Sequence, residues 1–200
     1  MASALIIPAI LVGSSPRNRP TDMVDIVKLC PHIRVDLRYA SPKNGVGRAV
    51  YPVGSRCLLR RGTAERLFRV QEHLERQGLG LLIWDAYRPL SAQKALWTVK
   101  PDRRFVAPPA RGSRHNRGAA VDLTLIDSRG RELSMPSGFD EFSRRAKPSY
   151  RGGSANARKN RYLLRTAMMN EGFFPDKNEW WHFNDPDWPN YRLIDVSLRR

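Results

Sequence analysis

The feature that most constrains this chain is the run AAVDLTLID, residues 119–127. Strict alternation marks a strand with two chemically different faces: Val121, Leu123 and Leu125 point one way, Asp122 and Thr124 the other. The segment therefore reads as a sheet element that carries a carboxylate away from its aliphatic side. Just before it stands SRHNRG, which holds His115 and Gly118. A glycine at that point lets the chain turn tightly into the strand, so that His115 and Asp122 converge.

Around this strand the chain reads as one α+β unit without internal repeats. IRVDLRYA, Ile33 to Ala40, alternates as a half-buried strand does, and a loop rich in Gly and Pro follows it. A helix is expected from a cap at Thr63 to about Gln77, with Leu67, Phe68 and Leu74 inward and Gly78 as its stop. LGLLIWD, residues 79–85, is a short apolar run of the kind found in central strands. A second helix is expected from Ser91, carrying Ala95, Leu96 and Trp97. A third runs from about Ala157 to Glu171 and buries Leu164, Ala167 and Met168.

At 200 residues with 41% apolar content and five tryptophans, the chain can bury a core without staples. Its 35 Lys and Arg against 19 Asp and Glu give a net charge of +16, which brings polyanions into view as partners. The basic residues are spread along the whole chain, however. The densest cluster, Arg151 to Arg161, has only Tyr150 and Tyr162 beside it as stacking aromatics. Without a zinc-finger, RNA-recognition or helix-turn-helix signature, that surface reads as solvated and no specific nucleic acid partner is expected. Cys30 and Cys57 show no CxxC spacing and read as free thiols. Residues 1–22 contain the apolar run ALIIPAILV and read as a flexible leader or signal-like segment. The remainder, 23–200, reads as one domain. Nothing is long enough to span a bilayer. The cytoplasm is the expected compartment, with export as the alternative if the leader acts as a signal.

Only four histidines exist in the chain, and two of them fall in compact polar and aromatic runs. His182 lies in EWWHF, three residues after Glu179. Two imidazoles and a carboxylate can hold zinc with one position open, and a carboxylate that is not a ligand can take a proton from the bound water. His115, Asp122 and His182 fit the first part and Glu179 the second, with Trp180 and Trp181 expected to wall the site. The H-x6-D and E-x-x-H spacings are each common, and Glu179 with His182 also suits a plain ion pair. A third run, WDAYRP, ends the apolar strand of residues 79–85 and fixes Arg88 between an aromatic and a proline. A guanidinium there can stabilise an oxyanion, or it can pair with Asp85 and tie down the loop.

Together WDAYRP, SRHNRGAAVDLTL and EWWHF resemble the D-alanyl-D-alanine dipeptidase family of zinc enzymes, in order and across about Val24 to Val196. That resemblance implies a small, mainly antiparallel central sheet flanked by helices, the fold shared with D-Ala-D-Ala carboxypeptidases and the hedgehog signalling domain. It implies one zinc ion on His115, Asp122 and His182, Glu179 as catalytic base and Arg88 as stabiliser of the transition state. It also implies that Asp140, in GFDEF, holds the substrate's ammonium, although Asp140 also suits a local cap. Ser113 and Tyr39 match positions lining the substrate pocket. The expected substrate is a small D-amino-acid dipeptide of peptidoglycan metabolism or glycopeptide resistance, taken in a closed pocket that rejects longer peptides. The alternatives are a D,D-carboxypeptidase or endopeptidase on stem peptides and a non-catalytic zinc module. The chain departs from familiar members in its charge, its leader and Arg114 beside the first ligand.

Overall fold

The computed structural model describes residues 22–199. Nearly all of the expected leader lies outside the described residues. A five-stranded sheet has the order β2-β4-β5-β7-β6, built from β2 (Arg34–Val35), β4 (Leu79–Asp85), β5 (Ala120–Asp127), β6 (Phe174–Pro175) and β7 (His182–Asn184). Only the β2–β4 pair is parallel, so the sheet is mainly antiparallel as expected. A separate antiparallel pair joins β1 (Met23–Asp25) to β3 (Leu58–Arg60). The short helix α1 (Ile26–Leu29) lies between them in sequence.

Helices α2 (Arg61–Glu75) and α4 (Ala155–Asn170) pack on each other, α2 against β4 and α4 against β5. Burial explains their faces. Leu67, Val70 and Leu74 of α2, at three- and four-residue spacing, and Leu164 and Met168 of α4, four residues apart, are fully enclosed. Thr63 sits inside α2, buried, and does not cap it; the helix starts two residues earlier with no side chain on its first amides. By contrast, Ser154 caps α4, accepting from the Ala157 amide at 3.1 Å. Helix α3 (Leu90–Val99) begins one residue before the expected start. Of the two adjacent methionines, Met168 is core and Met169 faces outward.

IRVDLRYA departs from its alternation. Only Arg34 and Val35 pair with β4, and the chain then turns into a 3-10 helix at Arg38–Ala40 that buries Tyr39. Its ring is packed edge-on against Tyr51 and Phe139, both at 5.6 Å, and this aromatic packing outweighs continued strand pairing at the sheet edge. Cys30 and Cys57 are both buried and free, in line with expectation. Among the described residues no helix is long and apolar enough to cross a membrane.

Candidate active site

Sheet register assembles the site. Asp122 on β5 stands directly opposite His182 on β7 and Asp85 on β4, so three polar side chains from adjacent strands share one face. A bulge between Ile83 and Asp85 ends the regular β4 ladder there and re-aims the strand end. His115 arrives from a 3-10 turn, His115–Arg117, closed by Gly118 in the left-handed conformation at φ 70°. A Cβ at Gly118 would come within 2.7 Å of Met23 Cε and 3.2 Å of the Arg60 amide, so the turn demands glycine sterically as well as conformationally.

His115, Asp122 and His182 form a group whose ligand atoms all lie within 4.8 Å of one another. The remaining ring nitrogens decide what these atoms are. His115 Nδ1 is 2.7 Å from the Ala86 carbonyl, which only accepts, so Nδ1 carries the hydrogen and Nε2 the lone pair. His182 Nε2 is 2.8 Å from Asn184 Oδ1, whose amide group turns its nitrogen to the Phe174 carbonyl. When neutral, His182 thus carries its lone pair on Nδ1. The two lone-pair nitrogens face each other at 3.1 Å, with Asp122 Oδ1 2.9 Å from His182 Nδ1. Facing acceptors repel unless a proton or a cation lies between them, and partners on the far nitrogens are the usual way of aiming imidazoles at a metal. The donor set fits a divalent ion.

The charges tell the same story. Burial opposes ionisation of Asp122, yet the charges and hydrogen bonds of His115 and His182 hold its carboxyl well below the usual range. Burial also works against a charged His182, but its hydrogen bond to Asp122 and the charges of Asp122 and Glu179 push it up to about 9. Glu179 is 9% exposed and 3.9 Å from His182 Nδ1. Its carboxyl is pushed well up, first by burial and then by Asp122, Asp140 and Asp176, against the pull of His182. Asp122, Asp140 and Asp176 thus add to the proton affinity of Glu179; a cation bound among carboxylates relieves such repulsion.

Arg88 is buried and combines both sequence readings. Its Nε and Nη2 grip Asp85 Oδ2 at 3.0 and 2.7 Å, and Nη1 donates to Gln93 Oε1 at 3.1 Å. Tyr51 completes Asp85 with a 2.6 Å bond to Oδ1. Tied down in this way, Arg88 still lines the pocket, 3.9 Å from Asp122 Oδ2 and with its guanidinium 4.9 Å from the Tyr39 ring centre. Burial, the largest single influence, disfavours its charge, but Asp85, Tyr39, Tyr51 and Asp122 together more than compensate and raise its pKa.

Asp140 caps nothing locally with its side chain. At φ 55° it reaches across the chain, where Oδ2 accepts from Tyr39 at 3.0 Å and from the Gly45 amide at 2.9 Å. Burial, the largest influence, raises its carboxyl to about 7. Ser113 also lines the pocket; its hydroxyl donates to Asn116 Oδ1 at 3.1 Å. Asp122, Asp140, Glu179, His115, His182, Arg88, Ser113 and Tyr39 therefore all face one cavity of about 650 Å³.

Two expectations do not hold. Trp180 and Trp181 are absent from the pocket wall: both are buried in the core, stacked edge-on at 5.4 Å and against Trp84 and Phe139. Their side chains join this aromatic cluster because apolar area is worth more enclosed than half-wet. The pocket is also far from tight around two alanines, since its volume lies in the range of much larger ligands. Sequence reading missed Asn184, Asn116, Gln93 and Tyr51. Asn116 ties the metal run to WDAYRP, its Nδ2 donating to the Arg88 carbonyl at 2.7 Å; its place inside SRHNRG was the available clue.

The chain matches the D-ala-D-ala dipeptidase family over residues 19–196. It is 38% identical over 174 residues to the D-alanyl-D-alanine dipeptidase of Escherichia coli, covering 87% of this chain and 90% of that one. To the D-alanyl-D-alanine dipeptidase of Enterococcus faecium it is 34% identical over 182 residues, with 79% and 89% covered. To that of Streptomyces coelicolor it is 32% identical over 192 residues, with 84% and 94% covered. With the family match spanning nearly all of the sequence and relatives above 30% identity along most of their length, this chain belongs to the D-ala-D-ala dipeptidase family of metallopeptidases.

Proposed function

We propose that the chain is a zinc-dependent dipeptidase that hydrolyses D-Ala-D-Ala, serving peptidoglycan metabolism or glycopeptide resistance, with residues 23–200 as the catalytic domain and 1–22 as a leader. The observation that carries the reading is the convergence of two lone-pair nitrogens and a carboxylate on one point beside a buried glutamate. His115, Asp122 and His182 would hold one zinc ion. When bound, it would supply an acidified water and Lewis acidity towards the scissile carbonyl.

The chain's own residues do the rest. Glu179 takes the water's proton and passes it to the leaving amine; its raised proton affinity suits it to both halves of that task. Arg88, aimed by Asp85 and Gln93, meets the negative charge that develops on the carbonyl oxygen. Asp140, held by Tyr39 and Gly45, receives the substrate's free ammonium, and Ser113 lines the same pocket. The retained glutamate and arginine argue against a non-catalytic zinc module. The roomy cavity favours, as a second reading, a D,D-carboxypeptidase on longer stem peptides.

Release of free D-alanine from D-Ala-D-Ala, lost in Glu179→Ala with zinc still bound, is the expected result. Cleavage of a pentapeptide stem alone would replace the dipeptidase by the carboxypeptidase, and hydrolysis of neither with zinc intact would leave a binding module. We place the enzyme in the cytoplasm, where the buried thiols Cys30 and Cys57 stay reduced; an N-terminus mapped downstream of ALIIPAILV in the mature protein would move it outside.

A further inference from the structure

The lining of the pocket carries a charge that a dipeptide of two alanines does not use. Arg103, Arg104, Arg111, Arg114, Arg117 and Lys177 all line it, besides the buried Arg88. Two of them are occupied: Arg104 pairs with Asp102 at 2.6 Å, and Arg117 donates to the Tyr191 carbonyl. Among the described residues, the side chains of Arg103, Arg111, Arg114 and Lys177 have no hydrogen-bond acceptor. Asp176, which also lines the pocket, already accepts from the Asn178 amide.

Arg114 is the best placed of the four. Its guanidinium lies 4.6 Å from the Trp188 ring centre, which restricts its motion, and its Nε is buried without a partner. Burial weighs most on its charge; Asp176 is the strongest charged neighbour, opposed by Arg111 and Arg117. Arg114 directly precedes the ligand His115, so this cationic lining borders the reaction centre. Asp140 lines the same pocket but is held by its own partners, Tyr39 and the Gly45 amide. On the dipeptidase reading, the ammonium end of the substrate lies at Asp140 and the leaving residue extends towards Arg114. A single terminal carboxylate satisfies one guanidinium fork, leaving further cations and much of a 650 Å³ cavity unused.

We infer that the pocket accepts dipeptides whose C-terminal residue bears an acidic side chain, the extra carboxylate seated on Arg111 and Arg114 beside Trp188. Resting on the dipeptidase reading, this names its substrate class: D-Ala-D-Glu and water yield D-alanine and D-glutamate by the same hydrolysis. The neutral isostere D-Ala-D-Gln fills the same space without the charge.

The test compares kcat and KM of the zinc-loaded protein for D-Ala-D-Glu, D-Ala-D-Gln and D-Ala-D-Ala. D-Ala-D-Glu should exceed D-Ala-D-Gln by about tenfold in kcat/KM, carried mostly by KM, and the ratio should shrink with added salt. Combined Arg111→Ala and Arg114→Ala should bring the ratio to about one, while Arg114→Lys keeps most of it. A ratio of one in the unaltered protein overturns the inference. So does a ratio that persists in the double variant while both rates fall, since Arg114 would then merely brace Trp188. Binding of the same two dipeptides to Glu179→Gln by calorimetry reads the same ratio without turnover. Absence of D-Ala-D-Ala turnover sinks the dipeptidase reading separately, because the binding ratio does not depend on it.

Discussion

Asn184→Ala tests the central geometric argument without touching a metal ligand. Asn184 Oδ1 accepts the Nε2 hydrogen of His182 at 2.8 Å, and only 5% of the residue is exposed, so water cannot freely replace it. Without this partner, His182 loses both its fixed tautomer and its ring orientation. Losing such a partner costs on the order of 10- to 100-fold in metal affinity, or about 1.4–2.8 kcal/mol; the burial places the expected loss in the upper half. Asn184→Asp should act in the opposite sense, because a carboxylate behind the imidazole raises its basicity towards the ion. The assay is zinc competition against a chromophoric chelator at neutral pH. Thermal unfolding of the metal-free variants serves as control, since one lost buried hydrogen bond costs about 1 kcal/mol and about 2–4 °C in Tm at this chain length. Unchanged zinc affinity in both variants, with folding intact, would refute the claim that Ala86 and Asn184 aim two lone pairs at one ion.

Two further outcomes follow from the same geometry. Arg88→Lys keeps the charge but loses the fork on Asp85 and the bond to Gln93; kcat should fall by about 10²- to 10³-fold at saturating zinc, and a fall below fivefold would remove Arg88 from the reaction. For Asp140, burial raises the carboxyl to about 7 from an ordinary value of 3.8. The folded protein therefore holds a proton that the unfolded chain releases, and stability declines as pH rises between those two values. Asp140→Asn should accordingly stabilise the metal-free protein at pH 8 but not at pH 3.5, as measured by denaturant unfolding. The same variant should raise KM for the dipeptide, and the unaltered enzyme should show KM rising as pH falls through about 7; a flat KM profile would sever Asp140 from the ammonium.

Much of the candidate site was legible because its polar residues sit in short runs whose local pattern is strong. Val121, Leu123 and Leu125 alternate with Asp122 and Thr124, and that alone put Asp122 on the polar face. The helices were legible to within about two residues from their apolar spacing, and Gly118 from its place between turn and strand. The failures have physical causes. Thr63 has a capping side chain, but the helix had already begun and the hydroxyl is enclosed. Tyr39 broke an apparent strand because three aromatic or charged groups across the chain pack on its ring. Trp180 and Trp181 lie between Glu179 and His182 in sequence, yet their bulk is enclosed in the core.

What the sequence determined by itself is the identity and order of the reactive groups: two histidines, an aspartate, a glutamate and an arginine, each in a run whose periodicity or turn chemistry is local. Only the tertiary structure decided how they meet. The lateral register that puts Asp85, Asp122 and His182 in one row depends on strands distant in sequence. So does the choice of the Ala86 carbonyl and Asn184 as the groups that orient the two imidazoles. Local pattern reports which face a side chain takes. Long-range pairing chooses its neighbour, because a buried polar group must find its partner wherever the folded chain brings one.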